Sequence, residues 1–410
     1  MPAVPHRSVA LTLCLAEVLA MAGTMTFQAL IPTFIAEWRL SHAEAGWISG
    51  AAYAGYMAGV PLLVTLTDRI DARRMVIAFS LVASLSSLGY ALFAEGIWSA
   101  LLFRVLNGLA LAGTYMPGLK ALTDRVAGPR TSRYQSLYTA TFSVGTSLSL
   151  LQAGLVGDWL GWRMAFAVAG IAPLFAAALV AWRLPPLGPA RAEPAPERLF
   201  DVRPVLRNRE AMGYVLGYGA HTWELFGFRT WLVAFMAFAA AGQGGGIGDS
   251  TISIWATVIL TLGLPASVYG NELATRFGRR RMLTLYMLLA AAFAACLGFS
   301  AALPFWLTVL ALALYSATIM TDSASLTVGA VNAAAAERRG ITMAVHSTVG
   351  SLTAFLSPLA SGLVLDATGA GTTLLSWVAC FATLGAGAAL GPLALAWLVG
   401  PDRRAAAPHR

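Results

Sequence analysis

Six ionisable side chains of this sequence stand inside long apolar runs: Glu17, Arg104, His221, Glu224, Arg229 and Asp322. A charge in such a setting is expensive and usually faces a partner or a water-filled cavity. His346 occupies a further run by itself. Helical spacing puts Glu17, Thr24 and Gln28 on one face, and Arg104, Asn107 and Gly108 on another, followed by Thr114 and Tyr115. A third face aligns Tyr315, Thr318, Asp322 and Ser325, while His221 and Glu224 neighbour each other at i,i+3 with Tyr214 and Tyr218 below. A carboxyl in a low-dielectric cavity can load and release a proton as water access alternates. An imidazole, with an ordinary pKa of about 6.5, can share that proton. The expected proton-coupling groups are therefore Glu224 first and Glu17 second, with His221 assisting Glu224. Arg104 and Arg229 can meet an anion, and Trp223, Tyr115 and Tyr315 offer aromatic surface. The candidate cavity comprises Gln28, Arg104, Asn107, Tyr115, His221, Trp223, Arg229, Tyr315 and Asp322. Two structural alternatives stay open: Glu17 pairs with Arg104 to hold its half together, and Arg229, about 140° around the helix from Glu224, pairs elsewhere or snorkels outward.

The elements that must carry these groups follow from composition. The 410 residues are 58% hydrophobic and 11% charged, with a mean hydropathy of +0.70. A soluble domain carries about 25% charged residues, so an ordinary soluble enzyme and a disordered chain are both excluded. A helix crosses the hydrocarbon core with about 20 apolar residues. Twelve stretches qualify: 8–34, 45–66, 75–94, 98–120, 134–157, 163–182, 212–238, 251–271, 282–301, 304–328, 340–365 and 372–399. Backbone groups in lipid must be satisfied within the segment, which makes these helices an all-α membrane protein. The first run exceeds a signal-peptide core of about 7–15 residues and is expected to remain as a helix.

With a cytoplasmic N-terminus, 23 of the 27 basic residues fall on the inner side. Only Arg39 and Arg163 fall outside, and Arg104 and Arg229 lie within spans. That asymmetry predicts an even number of spans with both termini cytoplasmic. The Pro-rich stretch 184–211 reads as a cytoplasmic linker between six-helix bundles at 1–183 and 212–400, and 401–410 as a cytoplasmic tail. Gly242–Gly248 reads as a plain outer connector. The halves also repeat: 66–74 aligns with 273–281, Gly154–Asp158 aligns with Gly362–Asp366, and Glu17 then falls on Glu224. Two six-helix repeats of the same orientation are parallel pseudo-repeats, with a site expected at their interface near the midplane. The ionic groups are expected to share one hydrated pocket there.

At this point the sequence resembles the major facilitator superfamily, over roughly residues 9 to 400. Its loop signature, G-x-x-x-D-R-x-G-R-R, survives in degraded form from Val64 through Asp68, Arg69, Asp71, Arg73 and Arg74, and again as Arg276, Gly278, Arg279 and Arg280. The resemblance implies a gating latch for Asp68, Arg69, Arg73, Arg276 and Arg280. The fourth-helix signature R-x-x-x-G matches Arg104 to Gly108, and by resemblance Arg104 takes part in proton coupling or in recognising substrate charge. The fifth-helix Gly-Pro signature of drug/proton antiporters is missing after Gly145, and spans 2 and 8 lack the arginines of nitrate porters. The implied function is a proton-coupled secondary transporter of a small solute, an organic anion or amphipathic metabolite, working by alternating access in the bacterial inner membrane. A proton-driven multidrug or metabolite efflux pump is the alternative.

Other classes are remote. A membrane-embedded enzyme would need a catalytic constellation, and the sequence carries no HExxH and no GxSxG. A sensor would normally carry a sizeable soluble domain. Cys14, Cys296 and Cys380 suggest neither a disulfide framework nor a metal site. The expected partners are a small-molecule substrate, protons and the lipid bilayer, with no cofactor and no nucleic acid, and the chain is expected to act as a monomer.

Overall fold

The computed structural model describes residues 6–67, 69–126, 128, 131–187, 201–244 and 246–400, so Asp68, the middle of the 184–211 linker and the 401–410 tail lie outside the described residues. In chain order the helices are α1 His6–Ala20, α2 Thr26–Ala29, α3 Ile31–Trp38, α4 His42–Leu66, α5 Ala72–Phe93, α6 Ile97–Arg125, α7 Thr131–Leu160 and α8 Trp162–Arg183. They continue with α9 Arg203–Arg207, α10 Arg209–Ala241, α11 Asp249–Thr261, α12 Gly263–Phe277, α13 Arg279–Leu297, α14 Phe305–Met320, α15 Ser323–Ala333, α16 Arg339–Ala367, α17 Leu374–Ala388 and α18 Leu390–Leu398. The described residues contain no strand. Each of the twelve expected spans coincides with helix. Among the described residues, ten helical segments are both long and apolar enough to cross a membrane, and α4 and α7, at 25 and 30 residues, have sufficient length.

Two compact units emerge. The first holds Met1–Ala195 with Thr230–Thr261, and the second Pro196–Arg229 with Leu262–Arg410. In the first, Val9, Leu13, Val76, Leu122, Tyr138 and Val180 pack into one core drawn from α1, α5, α6, α7 and α8. Helices α4 and α6 cross with almost no separation. A Cβ on Gly108 would lie 1.8 Å from the Ala52 carbonyl oxygen, and one on Gly55 would lie 2.3 Å from that of Val105. Small residues at such a crossing let helix backbones gain contact where lipid supplies no hydrophobic drive. In the second unit, Tyr214, Val215, Leu283, Met287, Leu326 and Leu395 form the corresponding core.

The outer surface of the first unit is inverted relative to a soluble protein, with exposed Leu62, Leu85, Leu92 and Phe175. Exposed Trp98 and Trp159 stand at one end of its helices and Trp182 at the other. This is the placement of tryptophans that sit at the two interfaces of a bilayer.

Spans 1, 8, 10 and 12 are not continuous helices: span 8 is interrupted at Leu262, between α11 and α12, and span 12 at Ala389, between α17 and α18. After α1 the chain tightens into a 3-10 turn, Met21–Gly23, departs from helix at Met25, and bends again at Leu30. Pro32 explains the second bend, because its ring clashes with the carbonyl four residues earlier and it donates no N–H. Span 10 breaks between α14 and α15, at Thr321 and Asp322. A Cβ on Gly270 of α12 would meet the Thr321 carbonyl oxygen at 2.0 Å, so glycine lets α12 pack directly on that break.

Candidate functional site

Breaking a helix inside a membrane frees carbonyls and N–H groups that lipid cannot satisfy, so side chains must. In span 1 the Arg104 guanidinium does much of this. It donates to the carbonyls of Thr24 at 3.1 Å, Gly23 at 3.3 Å and Ile48 at 3.4 Å. The Gln28 Oε1 accepts from Arg104 at 3.0 Å while its amide nitrogen donates to the Thr24 carbonyl at 3.3 Å. Ser149 on α7 serves the same break from the other side, donating to the Ala22 carbonyl at 2.6 Å and accepting from the Met25 N–H at 2.9 Å. Asn107 is buried beside Gly23. Arg104, Gln28 and Asn107 are thus brought together, as the spacing on spans 1 and 4 implied.

Glu17 belongs to a different contact. Its carboxylate accepts from the Tyr138 hydroxyl at 3.1 Å, and the same hydroxyl reaches the Tyr115 carbonyl at 3.0 Å. The Tyr115 and Tyr138 rings stack with centroids 5.8 Å apart. The Glu17–Arg104 pairing left open by the sequence does not form: a tyrosine hydroxyl donates to one carboxylate oxygen, Oε2, and backbone carbonyls accept from the guanidinium.

The second unit is built in levels along α10. Glu224 Oε1 accepts from the Tyr315 hydroxyl at 2.8 Å. One turn earlier, His221 Nδ1 lies 2.6 Å from Asp322 Oδ1, at the break of span 10. One turn further back, the Tyr218 ring stacks on His346 of α16 with centroids 3.8 Å apart, and lies 5.7 Å from the His221 ring. His346, which stood apart in the sequence, therefore joins the polar set. Trp223 does not. Adjacent helical residues point about 100° apart, and its indole N–H donates to the Thr383 carbonyl of α17 at 3.2 Å. Arg229 is buried, with its guanidinium 5.6 Å from the centroid of the Phe226 ring.

Glu17, Arg104, Glu224 and Asp322 are each no more than 2% exposed. Within each unit they occupy separate, closed contacts rather than the common hydrated pocket expected from the sequence. Each carboxylate has one close side-chain neighbour, a tyrosine hydroxyl or a histidine, and the guanidinium takes the freed carbonyls. The residues that sequence reasoning missed as partners are Tyr138, Ser149 and Thr327. Each is a polar side chain within a span, and that was the available signal.

The gating residues divide. Arg73 donates to the carbonyls of Leu184 at 2.6 Å and Ala181 at 2.7 Å, fastening the end of α8 to the start of α5. Arg69 and Arg276 are exposed, Arg276 lying over the ring of its neighbour Phe277. Arg280 donates to the Ala396 carbonyl at 3.3 Å. A buried ion pair among the described residues at this end of the first unit is Asp71–Arg125, at 3.0 Å, with both side chains no more than 5% exposed. Asp71 caps α5 through the Arg73 N–H at 2.9 Å and also accepts the Leu187 N–H at 2.8 Å. Burial raises its pKa, but the two N–H donors and the Arg125 guanidinium together outweigh that and hold the carboxyl below its ordinary range.

This latch carries a prediction. Removing one member of a buried ion pair costs about 3–5 kcal/mol, because the other charge is left behind. Asp71→Asn is expected to lower the thermal midpoint of the detergent-purified protein at pH 7. Because the folded pKa is depressed, the stabilisation is full above the unfolded value of about 3.9 and fades as pH falls through the folded value. The gap between the two proteins should stay constant from about pH 6 to 8 and close in acid; a gap that grows in acid contradicts the assignment.

Twelve span-length helical segments define a multi-pass membrane protein. The sequence profile of the Major Facilitator Superfamily matches residues 13–245 and 243–410, and the chain belongs to that family. Among curated relatives, the 3-(3-hydroxy-phenyl)propionate transporter of Escherichia coli is 32% identical over 147 residues, 36% of each chain. The gentisate transporter of Corynebacterium glutamicum is 30% identical over 155 residues, 37% of this chain and 34% of that one. Such relatives match over 31% to 41% of their own length. A bacterial homologue of the human lysosomal transporter Spinster, solved in an inward-facing and unoccupied conformation, superposes with a TM-score of 0.82 at 17% identity, covering 96% of this chain and 98% of that one. These relatives are transporters rather than enzymes.

Proposed function

We propose that this protein is a proton-coupled secondary transporter of a small organic anion, of the hydroxylated aromatic acid class, in the bacterial inner membrane. The observation that carries the reading is a pair of buried carboxylates, one in each unit, each held by one tyrosine hydroxyl: Glu17 by Tyr138 and Glu224 by Tyr315. A carboxyl in such a contact is electrically neutral only when protonated, so its proton can travel with the conformational cycle. Glu224 is the favoured carrier, with His221 sharing its proton and Glu17 second. Arg229 supplies positive charge for a carboxylate substrate, and Arg104, with Gln28 and Asn107, shapes the break of span 1 that lines the path. The substrate names of the relatives support the aromatic acid class.

In this reading two six-helix bodies, 1–183 and 212–400, rock about the midplane, joined by the 184–211 linker, with both termini cytoplasmic. Asp71, Arg125, Arg73 and Arg280 fasten helix ends at the cytoplasmic face, and Asp68, Arg69 and Arg276 are assigned to gating there by their signature. The chain works as a monomer. The test is reconstitution into vesicles with an imposed pH gradient and labelled gentisate and 3-(3-hydroxyphenyl)propionate. Gradient-driven movement of an aromatic acid, abolished by a protonophore, is expected. Binding or movement that ignores the proton gradient overturns the coupling, and indifference to every aromatic acid overturns the substrate class.

A further inference from the structure

The second unit contains more protonatable groups than a single carrier needs, and they are arranged in order. Glu224, His221 and Tyr218 follow one another at three-residue intervals on α10. Each meets a polar side chain of another helix: Tyr315 at 2.8 Å, Asp322 at 2.6 Å, and His346 by ring stacking at 3.8 Å. The helices run in register along this line. Going back along α10, Glu224 faces Tyr315, His221 faces Asp322, and Gly217 faces Leu326. The sequence of contacts therefore descends from the middle of α10 toward the end that begins at Arg209. At about 1.5 Å per residue, Glu224 lies about 22 Å from that end, His221 about 18 Å and Tyr218 about 14 Å. His346 lies about 10 Å from Arg339, where α16 begins.

His346 is 3% exposed, its Nε2 is 3.4 Å from the Thr327 hydroxyl, and its Nδ1 has no hydrogen-bond partner among the described residues. A buried imidazole with one open nitrogen is a costly feature for packing alone, since an unsatisfied buried polar atom forfeits about 1–3 kcal/mol. An imidazole can accept a proton on one nitrogen and give one up from the other, which fits a group at the end of a line of proton carriers.

We propose that His346 is the terminal proton relay of the second unit, taking the proton that Glu224 releases through the His221–Asp322 pair and passing it to water at the Arg209 and Arg339 ends of the helices. Each transfer breaks one O–H or N–H bond and forms another. The Glu224 carboxyl becomes a carboxylate, the proton rests in turn on the His221–Asp322 pair and on a His346 nitrogen, and it leaves as hydronium. No redox partner is required. The charged and titratable groups facing this line are Tyr218, His221, Glu224 and Arg229 from α10, Tyr315 from α14, and Asp322 between α14 and α15. The Tyr218 ring holds the imidazole in place, and Thr327 fixes its orientation. The inference rests on the proposed role of Glu224 but assigns a separate step.

The test compares His346→Asn, His346→Ala and Glu224→Gln in vesicles, measuring both net proton-driven transport and substrate exchange at equilibrium, which needs no net proton release. For both His346 variants, net transport is expected to fall at least tenfold while exchange stays within twofold of wild type. Added imidazole buffer should restore net transport in His346→Ala, where the cavity admits a diffusible base. Equal loss of net transport and exchange, or loss without rescue by imidazole, would reveal a packing role and overturn the relay. Unchanged net transport in both variants overturns it as well. Glu224→Gln reports separately: if that variant still couples to protons, the carrier assignment fails whatever His346 does.

Discussion

Glu224→Gln should abolish proton-driven accumulation while leaving the protein folded. A one-unit pH gradient with one proton per substrate supports about tenfold accumulation, equivalent to about 1.4 kcal/mol. The glutamine variant should accumulate substrate to no more than equilibrium, a loss of the entire factor. The geometry makes this a clean substitution. The carboxylate accepts the Tyr315 hydroxyl at 2.8 Å and both side chains are fully enclosed. A glutamine carbonyl accepts the same hydrogen bond, so shape and pairing survive while the exchangeable proton is lost. Glu17→Gln, held in the same manner by Tyr138, should weaken accumulation less. The measurement is steady-state accumulation in vesicles, and wild-type accumulation in Glu224→Gln would refute the carrier role.

Arg104→Ala should strongly destabilise the first unit. It leaves the carbonyls of Gly23 and Thr24 without the guanidinium donor and removes the partner of Gln28. Each buried group left unsatisfied costs about 1–3 kcal/mol, so a loss of about 3 kcal/mol or more is expected. The thermal midpoint in detergent reads this directly. Arg104→Lys keeps the charge but replaces a planar fork by a point donor, and it should recover only part of the loss. Affinity separates positioning from direct charge recognition. If Arg104 acts through the break of span 1, Arg104→Lys weakens an aromatic acid and its neutral amide by the same factor. A loss confined to the acid would show that the guanidinium meets the substrate itself.

The amino-acid sequence made the helices legible, because apolar runs of membrane length bounded by arginines leave few alternatives. It also located the buried charges, since Glu17, Arg104, Glu224 and Asp322 interrupt those runs. Their partners were harder to read. Tyr138 lies 121 residues from Glu17 and Tyr315 lies 91 from Glu224, and only tertiary packing brings them together. The break in span 1 was half visible in Gly23 and Pro32. The break at Asp322 had no local mark, because it depends on the close approach of Gly270 from another helix. His346 looked isolated on its own run because one-dimensional spacing cannot show that α10 and α16 place Tyr218 against it. The Asp71–Arg125 pair was not read from the sequence, because the capping geometry of α5 and the packing of α6 bring the two together.

Unwound carbonyls in the middle of a transporter are natural ligands for alkali ions. In this protein the exposed oxygens of span 1 already hold a cation, the guanidinium of Arg104, which is bonded to the chain and cannot diffuse away. Sodium or lithium therefore finds no vacancy at that bend. The tethered charge performs the structural duty of a bound metal without allowing it to be exchanged.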